Sequence, residues 1–234
     1  MGKTAINWVA RPGTVARTWN VTRGCTAVSE GCAHCWARAY HHRFEEYRGW
    51  GPFSEVTLLP EKLEEPLHWR DPATVFVCSR SDLFHIDIPA DFTEEVIRVA
   101  KDCPQHTFLF LTKRPEVMAG FEFPPNAWAG VTAENQEHAD ERLSHLANVS
   151  APVHFVSCEP LLGPITHWPY MPDWVIVGCE SGPGARPMDE DWVRSIRADC
   201  IVTQTPFFYK QAIVNGKMDH RPLLDGERWT QWPA

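Results

Sequence analysis

The chain lacks any apolar run long enough to span a bilayer, and its first residues, MGKTAINWVARPG, lack the apolar stretch of a secretion signal. Both absences predict a cytoplasmic protein with no membrane partner. Internal repeats, low-complexity tracts and linkers are missing too, so residues 1–234 are expected to form a single domain. With 234 residues, 44% of them hydrophobic, that domain can bury a substantial core. Positive charge is scarce: 22 Lys and Arg face 30 Asp and Glu, a net charge of −8. This balance disfavours a general nucleic-acid coat protein, because sequence-independent binding comes mainly from phosphate neutralisation. A local basic patch is still compatible with it.

Cysteine is not scarce. There are eight, and nothing points to export and a disulfide framework. Cys78, Cys103, Cys158, Cys179 and Cys200 are dispersed, mostly in or beside apolar runs, where cysteine behaves as a small buried hydrophobe. Cys25, Cys32 and Cys35 instead fall within eleven residues, flanked by Gly24 and Gly31, which permit sharp turns.

Strand-length apolar runs recur at residues 74–78, 107–111, 127–131, 153–156, 174–177 and 206–209, with an earlier strand expected near 17–22. Their continuous apolarity predicts strands covered on both faces. Helical patterns fall at 33–47, 91–100 (with Asp91 as its cap), 135–146 and 189–200. The alternation predicts an α/β fold: an incomplete, TIM-like (β/α) barrel of six to seven parallel strands, with the cysteine loop after the first. Most runs end in polar clusters containing Ser79, Ser81 and Asp82; Lys113 and Arg114; Thr132 and Glu134; Ser157 and Glu159; Glu180; and Lys210. Loop starts are often polar, but six such clusters on parallel strands predict one ligand-binding rim.

Three thiolates at this spacing can hold one inorganic centre. A 4Fe–4S cluster would keep an open iron; a zinc site would add His34, His41 or His42 as fourth ligand. The spacing leaves both open. The eleven tryptophans, Trp8, Trp19, Trp36, Trp50 and Trp69 among them, suit base stacking or ordinary packing.

A three-cysteine loop after the first strand of a partial barrel resembles the radical S-adenosylmethionine superfamily, although the cysteines here are spaced six then two apart rather than three then two. The usual Gly-Gly-Glu after the second strand is also replaced, by Ser79, Ser81 and Asp82. Over most of its length the chain is similar to a family of phage and prophage proteins. The shared motifs are Thr18-Trp-Asn20, the Gly24 to Cys35 loop, Ser81-Asp-Leu-Phe84, Leu111-Thr-Lys-Arg-Pro115, Gly130-Val-Thr-Ala-Glu-Asn135, Glu159-Pro-Leu-Leu-Gly-Pro164, Glu180-Ser-Gly182 and Phe207-Phe-Tyr-Lys-Gln211.

The resemblance implies a radical enzyme with a 4Fe–4S cluster on Cys25, Cys32 and Cys35. It implies S-adenosylmethionine as cofactor, a flavodoxin- or ferredoxin-type electron donor, and isomerisation or another modification of a nucleobase-linked substrate such as modified phage DNA or a nucleotide. Lys113, Glu159 and Glu180 would be catalytic. Ser79, Ser81, Asp82, Lys113, Arg114, Thr132, Glu134, Ser157, Glu159, Glu180 and Lys210 would bind cofactor, and the setting would be the host cytoplasm. Two other readings stand beside it: a zinc-stabilised nucleic-acid-binding module, and a hydrolase using Glu159 and Glu180 as a carboxylate pair.

Overall fold

The computed structural model describes residues 2–182 and 184–234. Strand β1 (Val15–Trp19) is followed by a small antiparallel ribbon of β2 (Thr22–Arg23) and β3 (Thr57–Leu58), which brackets helix α1 (Trp36–Arg48). Then come β4 (Ala73–Val77), α2 (Ala90–Lys101), β5 (Thr107–Thr112), α3 (Pro115–Met118), β6 (Ala127–Thr132) and α4 (Gln136–Leu146). The chain ends with β7 (His154–Cys158), β8 (Trp174–Gly178), α5 (Glu190–Thr203), β9 (Phe207–Val214) and β10 (Lys217–Asp219).

Eight strands form one sheet in the order β1-β4-β5-β6-β7-β8-β9-β10, parallel throughout except for β10, which turns back against β9. The sheet is open and curled, a half-barrel, as the strand–helix alternation predicts. Its seven parallel strands fit an incomplete TIM-like barrel.

The period-two alternation of a strand sorts its side chains between two layers. On β4, Val75 and Val77 join the large cluster under the helices, while Phe76 enters the inner one. That inner layer is aromatic: Phe76, Trp128, Phe155, Trp174 and Phe208 fill the curl of the sheet. Trp8, on a short 3₁₀ turn (Asn7–Val9), plugs it, with its ring centroid 4.8 Å from that of Phe76. Trp232 donates its indole N–H to the Trp8 carbonyl at 2.8 Å and ties the C-terminal segment to the plug. Gly130 lies where a Cβ would overlap the Phe155 ring, so close packing of this layer requires glycine there.

Helix starts differ in two places from expectation, at α1 and α2. Asn135 and Asp189 cap α4 and α5, accepting from the His138 and Asp191 N–H groups at 3.1 and 2.9 Å. Asp91 does not cap α2. Pro89 is the N-cap, and Asp91 sits in the first turn, where its charge favours the helix dipole. Helix α1 begins just after the cysteine motif, with Cys35 at its N-cap. Among the described residues no helix is long and apolar enough to cross a membrane.

Candidate functional site

At the C-terminal ends of the parallel strands lies a cavity of about 690 Å³. Its floor is the aromatic plug, Trp8 and Phe76, together with Leu111. Of the rim residues expected from the sequence, Ser79, Ser81, Asp82, Lys113, Arg114, Thr132, Ser157, Glu159, Glu180 and Lys210 all line it. Cys25, Cys32 and Cys35 line it as well, so the strand ends and the cysteine loop share one chamber.

The buried Asp82 carboxylate knits these parts together. It accepts from the Thr112 hydroxyl at 2.7 and 2.9 Å, from the Lys113 and Phe84 N–H groups at 3.2 and 3.1 Å, and from Arg114 Nη1 at 2.9 Å. Arg114 then reaches the cysteine loop, donating to the Thr26 carbonyl at 2.9 Å and to its hydroxyl at 3.1 Å. An enclosed ion pair with this many partners positions a loop; it is not free to act on a ligand.

Glu134 is the one expected rim residue absent from the wall. It is fully buried behind it, accepting from Lys113 Nζ and the Ser29 hydroxyl at 2.6 Å and from Arg142 Nη1 at 2.7 Å. Burial alone would raise its pKa, but Lys113 and Arg142 outweigh burial and hold the carboxyl below its ordinary value. Gly31 presses against Glu134, leaving no room for a Cβ; the close approach, not a positive φ, is what requires glycine. Gly24 does adopt φ +89°, where its carbon passes the Glu55 carbonyl.

Glu180 forms the second carboxylate network. It accepts from the Arg186 backbone N–H at 2.9 Å and Nε at 3.0 Å, and from Arg186 Nη2. His34 Nδ1 lies 2.8 Å from Oε2, the oxygen that also accepts from the Arg186 backbone N–H and Nε. Burial works against ionisation here, yet the hydrogen bonds from Arg186 and His34 bring the carboxyl down to about 2. A carboxylate can only accept, so His34 donates from Nδ1 in this contact. Lys210 pairs with Glu159.

The expected metal centre is overturned. Among the described residues, no group of three or more His, Cys, Asp or Glu side chains is arranged to hold a metal ion. The sulfurs are engaged elsewhere: Cys25 Sγ lies 3.4 Å from the Thr26 carbonyl and 3.6 Å from Arg114 Nη1, while Cys32 Sγ faces the Ser29 hydroxyl at 3.8 Å. Burial, with the Asp82 charge, pushes the Cys25 thiol up to about 11. Cys32 moves the other way despite burial, because the Val28 and Ser29 N–H groups and the Lys113 charge favour its thiolate. The proposed zinc histidines are also committed: His34 to Glu180, His41 Nε2 to the Gly51 carbonyl at 2.8 Å, and His42 to Glu45 at 2.7 Å.

The likeness to the radical S-adenosylmethionine superfamily therefore fails at its defining residues, and with it go the 4Fe–4S cluster, S-adenosylmethionine and the radical isomerase activity. In the carboxylate-pair hydrolase reading, Glu180, held ionised by Arg186, is not the protonated acid of such a pair.

Sequence reasoning also missed residues. Arg186 stands in a loop with no periodic pattern, and His34 drew notice only as a zinc ligand. The spacing of His34, next to Cys35 at the start of α1, was the available sign that it would face the rim. The wall further includes Asn7, Arg80 and Arg221, from segments far apart in the chain.

Comparison with known proteins finds no match among curated proteins and none among solved structures. One family model does match, over residues 3–233, nearly the whole chain, and on that match the chain belongs to the family described as protein of unknown function (DUF5131).

Proposed function

We propose that the rim cavity binds an anionic ligand with a heterocyclic part, of the nucleotide class, and that His34, oriented by Glu180, is the group placed to exchange a proton with it. The observation that carries this reading is the inversion of charge at the cavity. The whole chain is acidic, at −8, but with the closed Asp82–Arg114 pair set aside its wall presents Arg80, Lys113, Lys210 and Arg221 against Glu159 and Glu180. A concave, cation-rich wall over a low-dielectric floor focuses positive potential and favours anions. Trp8, Phe76 and Leu111 provide an apolar floor for a flat ring, and the strand-end hydroxyls of Ser79, Thr132 and Ser157 provide hydrogen-bonding groups above it. Free thiols at all eight cysteines suit a reducing compartment, and we place this work in the cytoplasm.

Tryptophan fluorescence supplies the test, since Trp8 and Trp36 both line the cavity. Nucleoside monophosphates should bind at least roughly tenfold more tightly than the matching nucleosides, as expected for one added charge-assisted contact. Lys113→Met and Lys210→Met should each reduce that preference. Equal affinity for nucleoside and nucleotide, or no binding of either, would reject the reading.

A further inference from the structure

The guanidinium groups of this protein differ in their partners. Arg98, Arg114, Arg142, Arg186, Arg194 and Arg197 are each paired with a carboxylate. Around α1 the pattern is different. Arg38, Arg43 and Arg48 are on that helix, Arg23 and Arg80 reach over it, and among the described residues none of these five has a carboxylate within ion-pair distance. The helix carries two acids, Glu45 and Glu46, and the first is held by His42.

Aromatic rings interleave with these charges. Tyr40, Phe44 and Trp50 form a row, with centroids 4.8 Å apart at the first step and 6.1 Å at the second. Arg80 lies 5.2 Å from the Tyr40 ring centre, Arg48 5.4 Å from that of Phe44, and Arg23 4.7 Å from that of Trp50. Trp36 and Tyr47 add exposed rings on the same helix, 47% and 85% accessible. Each of these guanidinium groups lies within cation–π range of a ring, and alternating rings and cations of this kind let unpaired bases stack while neighbouring charges meet phosphates. An acidic protein would satisfy the charges but make no use of the ordered planes. The row also runs to the cavity, because Trp36 and Arg80 belong to its wall.

We propose that the α1 face, from Arg23 and Trp50 to Arg80 and Trp36, is a docking track for single-stranded nucleic acid leading to the cavity mouth. The track is about 20 Å long at 1.5 Å per helical residue, enough for a few nucleotides. It stands on the α1 face alone, so it can fail while the nucleotide site holds, and the reverse.

Fluorescence polarisation with a labelled single strand of about 12 nucleotides tests it, at salt concentrations from about 50 to 200 mM. The wild-type protein should bind the single strand more tightly than the matching duplex. Arg23→Gln with Arg48→Gln, neither residue lining the cavity, should weaken binding roughly tenfold or more and flatten the salt slope by about 1.4. Circular dichroism and unchanged mononucleotide binding would show that the double variant is folded with its cavity intact. Arg194→Gln, on the far helix α5, should bind as wild type. Three results would overturn the proposal: no binding at the lowest salt, equal binding by the double variant, or binding to phosphatidylserine vesicles with none to the oligonucleotide.

Discussion

Glu134 and Glu180 follow β6 and β8, with β7 between them, and each is pinned by an arginine, yet they have different surroundings. Glu134 is sealed: its carboxylate is fully enclosed, Arg142 is buried beside it, and the cavity does not reach it. Glu180 is also buried, but its partners open outward, with His34 and Arg186 side chains 40% and 31% exposed. The same chemistry thus yields a structural anchor in one place and, in the other, a histidine held at the edge of a chamber. Access to the arginine partner separates the two roles, not the acidity of the carboxyl, which is depressed in both.

The difference can be broken first on the sealed side. Glu134→Gln leaves Lys113 and Arg142 without their buried counter-charge, and loss of about 3–5 kcal/mol is expected. Urea unfolding would measure it, and a change below about 1 kcal/mol would mean the network is wetter than its burial indicates. Glu180→Gln should cost less, about 1.5–3 kcal/mol, because its partners can turn to solvent. This residue also predicts a pH signature. Burial opposes its charge, but Arg186 and His34 prevail and hold the folded carboxyl near 2, below the ordinary 4.5. Its stabilisation is therefore fully present above the ordinary value and is lost as pH falls towards 2. Stability curves of wild type and Glu180→Gln should converge over that acid range; parallel curves would contradict the assignment.

Gly31→Ala sharpens the comparison from the loop side. A methyl group there must displace the Glu134 carboxylate, at a cost of about 1–3 kcal/mol, with no change expected in a Glu134→Ala background. The smallest effect belongs to Arg194, whose pairs with Glu190, Asp191 and Asp225 are all at the surface. Arg194→Gln should leave the melting temperature unchanged within error.

The parts of this arrangement that local pattern encodes were readable from the chain. Continuous apolar runs located the parallel strands, and the polar residues ending them located the cavity wall, because a parallel sheet brings those ends to one rim. Asn135 and Asp189 announced their helices through cap chemistry. What depends on distant partners was not readable. Glu134 has the same local context as its neighbours; Arg142, Lys113 and Ser29 together hold it behind the wall, and its own segment announces none of them. The cysteine spacing suggested a shared centre, but Arg114, eighty-nine residues beyond Cys25, engages that sulfur instead. Trp8 filling the barrel had no signature at all, since a single tryptophan near a chain end fits many positions.

Differential alkylation tests the nucleotide-site reading most directly, because Cys25, Cys32 and Cys35 are free and line the proposed cavity, whereas Cys103 is buried outside it. Mass spectrometry would follow each thiol with and without a nucleoside monophosphate. At about ten times the dissociation constant, labelling of Cys32 should slow roughly tenfold, in line with the occupied fraction, while Cys103 stays unlabelled in both samples. Unchanged labelling of all three cavity cysteines under saturating ligand would contradict the account.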